Sequence, residues 1–120
     1  MSRFDYIKIH ASHFVGLAIT EDELSQLDGL EFQTKDLERE FLDYVVDEEG
    51  VLSYEDFMYE LKDADNGLFN KVLCRIPLGK VITNHTGVVM FYGKPYESMY
   101  TLQAKFTNGR LKYVRLLSIV

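Results

Sequence analysis

Several groups of side chains in this chain are of types that do chemistry. Cys74 and His85 could serve as a thiolate nucleophile and its base, and His10 and His13, joined by Cys74 and His85, could serve as zinc ligands. The acidic loops around Gly50 and Gly67 offer the glycine that a calcium loop needs at its sixth position. None of these groups has the required spacing. With Gly50 sixth in an EF-hand loop, Val45 falls at the first position, where a carboxylate must anchor the ion; with Gly67 sixth, Lys62 falls there. No Cys-x-x-Cys or His-Glu-x-x-His run is present. Cys74 lies in an apolar run between Leu73 and Ile76, the setting of a buried small hydrophobe. If the N-terminal segment is a strand, His10 and His13 fall on opposite faces. Carboxylates abound, but no spacing singles out an acid–base pair, and there is no Gly-rich phosphate loop. The sequence points away from an enzyme and asks for no metal and no cofactor.

Charge is the more informative signal. From Glu21 to Asp65 there are 17 acidic residues against three basic ones, a local charge of −14; from Asn66 to Val120 there are eight basic residues against Glu97 alone, or +7. Separation on this scale favours recognition by opposite charge. Two surfaces follow as candidates. An acidic face built from Asp43, Asp47, Glu48, Glu49, Glu55 and Asp56 would imitate a phosphate backbone and occupy a basic groove on another protein. Alternatively Arg75, Lys80, Arg110 and Arg115 would pair with the phosphate of a small anionic ligand such as a nucleotide, with Tyr92 or Tyr100 stacked on its base. Against both stands a simpler arrangement, in which acidic and basic strands neutralise one another across a sheet. Because the chain is acidic overall, nucleic acid is not the expected partner.

The elements that must position these residues are mostly β. The length of 120 residues suits one domain, 1–120, large enough to bury a core without disulfide or metal. A single cysteine, no apolar leader-like run and no 18-residue apolar window lead to the expectation of a cytoplasmic protein with no membrane span. Phe4 to Ile9 reads as a first strand. Thr20 and Glu23 form a capping-box pair ahead of a short helix carrying Leu24 and Leu27 and ending near Gly29. Leu30 to Thr34 reads as a strand. Residues 35–47 fit either a helix, by the spacing of Leu37, Phe41 and Val45, or strands; strands at 41–46 and 51–55 around an acidic turn are favoured. Asp63 to Gly67 reads as a turn. Lys80–Thr83, Gly87–Tyr92, Met99–Thr107 and Arg110–Val120 are β-rich, the last two joined by Asn108-Gly109, the strongest hairpin signal in the chain. The expected fold is α+β, mainly β: an antiparallel, meandering sheet covered by one or two short helices. Edge strands rich in Tyr and Val leave a dimer open.

The segment Phe32-Gln33-Thr34-Lys35-Asp36-Leu37, followed by Tyr44-Val45-Val46, a Gly turn and Val51-Leu52, and later by His85-Thr86-Gly87-Val88-Val89-Met90-Phe91-Tyr92, resembles a group of small phage and prophage accessory proteins. The resemblance covers about half to two-thirds of the chain, and the stretch from Glu55 to Asp65 departs from it. It implies a setting and transfers no catalytic residue: a small accessory protein of a mobile element, acting in the bacterial cytoplasm. The reading is then a non-enzymatic protein that binds and antagonises a host protein, such as an immune component, through the acidic face. A toxin-neutralising immunity protein and a nucleotide-sequestering protein are the alternatives.

Overall fold

The computed structural model describes residues 5–37, 43–63 and 71–120. Eight strands form one sheet: β1 (Asp5–Ile9), β2 (Phe32–Thr34), β3 (Asp43–Val46), β4 (Leu52–Asp63), β5 (Lys71–Ile82), β6 (Gly87–Gly93), β7 (Tyr100–Thr107) and β8 (Arg110–Ile119). Their spatial order is β5-β4-β3-β1-β2-β6-β7-β8. The expected mainly β, mostly antiparallel architecture is therefore present. Two meanders, β3-β4-β5 and β6-β7-β8, flank a central pair, β1 and β2. The departure from a simple meander is β1, which pairs antiparallel with β2 on one side and parallel with β3 on the other.

One face of the sheet is the core. Strict alternation buries Ile7 and Ile9 of β1, Phe32 and Thr34 of β2, Tyr44 and Val46 of β3, and Leu102, Ala104 and Phe106 of β7. A short 3₁₀ turn (Ala11–Phe14) and the helix α1 (Glu21–Leu27) lie over this face and contribute buried Phe14 and Leu27. Phe14, Phe32 and Phe91 form a run of tilted and edge-on rings, with centroids 5.9 and 5.0 Å apart. The capping box is complete: Thr20 Oγ1 accepts from the Glu23 amide, and Glu23 Oε1 accepts from the Thr20 amide. With three acids in its first turn, a helix of only seven residues is held at its start. Glu23 also fastens it to the sheet, because the Tyr100 hydroxyl donates to its Oε2 at 3.1 Å.

The segments Phe32–Leu37 and Gly87–Tyr92 lie side by side, because β2 and β6 are neighbours in this sheet. Gln33 faces Tyr92 and Thr34 faces Phe91 across β2 and β6. Beyond β2 the side chains continue the pairing: Thr34 Oγ1 donates to the Met90 carbonyl, and Asp36 Oδ2 accepts from the Met90 amide. Phe32 and Leu37 are buried. The Phe-Gln-Thr-Lys-Asp-Leu string thus serves packing and strand pairing.

The sheet curls until the β7–β8 turn reaches the turn between β3 and β4. The Asn108-Gly109 turn, with φ of 51° and 77°, brings the start of β8 against the β3–β4 turn. Leu52 N donates to Gly109 O and Leu111 N to Gly50 O, each at 2.8 Å, and Val51 bridges to Arg110. Gly109 N donates to His85 O, tying in the segment after β5.

At the other end β4 and β5 leave the body as a two-stranded ribbon. The departure is a β-bulge: Asp56 faces Gly79 and Phe57 faces Pro77, so Leu78 has no opposite residue. Gly79, at φ +107°, takes a conformation open chiefly to glycine. Sequence reasoning expected strands only at 51–55 and 80–83; β4 and β5 instead run 12 residues each. The expected turn at 63–67 lies outside the described residues apart from Asp63. Likewise, of the helix-or-strand region 35–47, residues 38–42 lie outside them, and 43–46 are strand.

Candidate functional site

The six acids expected to form one face lie in three settings. Asp47 caps the β3–β4 turn: its Oδ1 accepts from the Glu49 amide at 3.0 Å and the Val51 amide at 2.9 Å. Glu48 and Glu49 are exposed on that turn. Asp43 and Glu55 stand one rung beyond the Tyr44–Tyr54 pair, side by side on the outer face of the sheet. Asp56 sits at the bulge, its carboxylate accepting the Phe57 amide. Lys80 lies opposite Glu55 in β5, and Asp63 forms an ion pair with Lys71 opposite it. Opposite charges are therefore matched in register at both ends of the β4–β5 hairpin, and form an ion pair at the outer end.

Asp47 is structural in a way that pH reveals. The Val51 amide, followed by the Glu49 amide and the field of Lys80, holds its carboxyl below the ordinary 3.8, against the opposing effect of desolvation. A group depressed on folding stabilises fully above its unfolded value, and the contribution is lost as the pH falls through the lower folded value. Asp47→Asn keeps an acceptor for both amides. It is expected to cost less than about 1 kcal/mol at neutral pH and to flatten the loss of stability between about pH 5 and pH 3. Urea denaturation across that range measures this; an unchanged slope would remove Asp47 from the acid response.

The six residues expected to hold an anionic ligand are not brought together. Arg75 and Lys80 are on β5 and Arg115 is on β8, the two outermost strands in the sheet order. Arg75 lies over the Phe57 ring at 3.8 Å and Arg115 over Tyr113 at 4.4 Å. Arg110 begins β8 at the closure, and Tyr92 is exposed on the outer face of β6. Tyr100 is 3% exposed and donates to Glu23, so its ring is not offered to a base. Burial, then the bond and charge of Glu23, raise its hydroxyl above the ordinary tyrosine value.

The histidines and the cysteine are likewise apart. β1 ends at Ile9, so His10 and His13 are not on opposite faces of a strand; His10 caps the 3₁₀ turn and His13 lies within it, with ring centroids 6.5 Å apart. His13 Nε2 is 2.7 Å from the Asp47 carbonyl and links that turn to the β3–β4 turn. Cys74 is half-buried on the ribbon, not in the core, and about 26 Å of extended strand separates it from the end of β5 that precedes His85. Among the described residues no three His, Cys, Asp or Glu side chains converge as a metal site. No helix among them is long and apolar enough to cross a membrane.

What the residue-by-residue reading missed is the ribbon beyond the bulge. One face presents Phe57, Tyr59 and Leu61 of β4 against Pro77, Arg75 and Leu73 of β5; the other presents Met58, Glu60 and Lys62 against Ile76, Cys74 and Val72. Tyr59, Leu61 and Leu73 are 56%, 64% and 60% exposed, and Met58 and Val72 are exposed as well. A soluble body rarely leaves such a continuous apolar strip open to water. Pro77 has no amide proton and sits in the edge strand β5, which blunts sheet-to-sheet pairing along that edge. On the β5 side the ribbon therefore offers its faces rather than its edge.

Comparison of the chain with protein-family models, with characterised proteins and with solved structures finds no match.

Proposed function

We propose that this chain acts by binding another protein through the β4–β5 ribbon, without catalysis, and that in a phage or prophage setting the partner is a host protein, such as an immune component, which it antagonises in the bacterial cytoplasm. The observation that carries this reading is the exposure of Tyr59, Leu61 and Leu73 together on one face of the ribbon. Charge refines the partner. Within the ribbon and its base, β4 carries Glu55, Asp56, Glu60 and Asp63 against Lys62, while β5 carries Lys71, Arg75 and Lys80. A groove that accepts the ribbon would be apolar at its floor and basic along the wall that meets β4. The stretch from Glu55, which departs from the phage-like resemblance, is the outgoing strand of this ribbon. A binding element particular to one chain, on a shared scaffold, is what an antagonist fitted to a particular target would carry.

The test is capture from nuclease-treated bacterial lysate, identification of any stoichiometric protein, and titration of that purified protein. Native chain is compared with a ribbon variant and with Glu48→Lys/Glu49→Lys, in which Asp47 is retained so that the turn keeps its cap. Loss of binding in the ribbon variant alone supports the reading. Loss in the turn variant alone moves the interface to the acidic turn, and no stoichiometric partner in any sample removes the protein-binding reading.

A further inference from the structure

We infer that the body of the protein holds a second, separate site: a cavity at the base of β4 and β5 that takes a neutral heteroaromatic ring of the adenine type. The cavity has a volume of about 340 Å³ and is bounded by Tyr44, Tyr54, Val81, Ile82, Thr83, Asn84 and His85. That lies at the lower end of small-molecule sites, about 300–1,000 Å³, which suits a single fused ring better than a whole nucleotide. Tyr44 and Tyr54 face each other across β3 and β4 with ring centroids 5.6 Å apart and edge-to-face, so they supply a rigid aromatic wall. Val81 is the cross-strand partner of Tyr54 and extends that wall.

The rim is polar and fixed in place. Thr83 N donates to Leu52 O, the His85 amide donates to Thr83 Oγ1, and His85 O accepts from Gly109 N. Preorganisation of this kind lowers the ordering cost of binding. Asn84 is exposed on the rim and offers an amide donor beside a carbonyl acceptor, the pair that matches the amino group and ring nitrogen of adenine. His85 Nε2 is buried without a hydrogen-bond partner, an unusual state for a ring nitrogen and one that a bound polar ring or a shifted imidazole would relieve. None of the seven bounding residues is a lysine or an arginine, so the site lacks the cation that would favour a phosphate over a neutral ring. It differs in this from the anionic-ligand site expected from the basic residues. Nor does it involve the apolar strip of the ribbon, so protein binding and ring binding can fail independently.

The experiment is a titration of the full chain with adenine, AMP and indole, followed through the histidine and tyrosine ring signals in carbon–proton correlation NMR spectra. Adenine is expected to shift the His85 and Tyr54 signals saturably, with a Kd at or below about 1 mM. AMP should bind within about threefold of adenine, and indole, which lacks the acceptor edge, at least about fivefold more weakly. Asn84→Ala, at an exposed rim position, should weaken adenine at least about fivefold while leaving the circular dichroism spectrum unchanged. Val88→Thr, at an exposed β6 position that does not line the cavity, should retain binding within about threefold. No shift with adenine, indole binding as tightly as adenine, AMP binding more than about tenfold tighter, or full affinity in Asn84→Ala would each overturn the assignment, the first leaving a cavity filled by water only.

Discussion

Replacing Gly109 with alanine is expected to cost about 3–5 kcal/mol of stability, enough to unfold a marginal domain at ordinary temperature. A Cβ at this position would lie 2.0 Å from the carbonyl oxygen of Thr83 and 2.9 Å from its carbon. The obstacle is backbone, which cannot rotate aside as a side chain can. The residue also sits at φ +77°, where alanine is strained by about 1–3 kcal/mol. Moving the turn to relieve the clash would stretch the bonds from Gly109 N to His85 O and from Leu52 N to Gly109 O, which tie the turn to the segment after β5 and to the start of β4. Asn108→Ala is the control. Its φ of 51° imposes conformational strain but not the contact with Thr83, and its amide can still donate to Thr86 Oγ1. It should cost no more than about 1–2 kcal/mol. Urea denaturation separates the two. If Gly109→Ala falls within about 1 kcal/mol of the native chain, the β7–β8 turn does not lie against the Thr83 carbonyl as described.

That turn also illustrates what sequence reasoning can reach. Asn-Gly between alternating segments specified both φ signs and the β7–β8 pairing, because few other residue pairs tolerate a type I′ turn. Thr20 and Glu23 specified the start of α1 by the same kind of local chemistry. The cavity wall was within reach too: an antiparallel turn joining Asp47 to Val51 sets Tyr44 opposite Tyr54 by simple counting along the strands. The parallel pairing of β1 with β3 was not, since it depends on which side of β1 the chain returns after α1 and β2, and no local residue encodes that. The ribbon escaped for a different reason. Alternation marks a strand only when one face meets a core, and beyond Phe57 neither face does. The run Phe57-Met58-Tyr59 and the run Val72-Leu73-Cys74 therefore carry apolar residues without a period, and Pro77 reads as an interruption when it is an edge position. The charge halves, so prominent in the sequence, were informative about pairing: Glu55 opposite Lys80 and Asp63 with Lys71 are acidic-half residues matched to basic-half residues.

The ribbon makes the sharpest functional prediction, because its apolar residues contribute little to the fold. Tyr59→Thr, Leu61→Thr and Leu73→Thr together preserve β propensity while removing the exposed apolar strip. Phe57 is left intact, since it packs against the core and carries the Arg75 guanidinium. Each replaced side chain is more than half exposed, so the loss to folding is confined to cross-strand contacts of about 0.2–1 kcal/mol each, and fraying of the ribbon should leave the body's unfolding midpoint nearly unchanged. Affinity for the captured partner should nevertheless fall at least about 100-fold, or about 2.7 kcal/mol, as expected when the apolar centre of an interface is removed. Val88→Thr, an exposed apolar position on β6 away from the ribbon, should bind as the native chain does. Glu48→Lys/Glu49→Lys should act mainly on the association rate, and mainly at low salt. A triple variant that remains folded and binds within about threefold of native would show that the exposed strip is not the contact surface. A native midpoint with binding lost would make the ribbon an element kept for its partner rather than for the fold, which is why its sequence obeys no core periodicity.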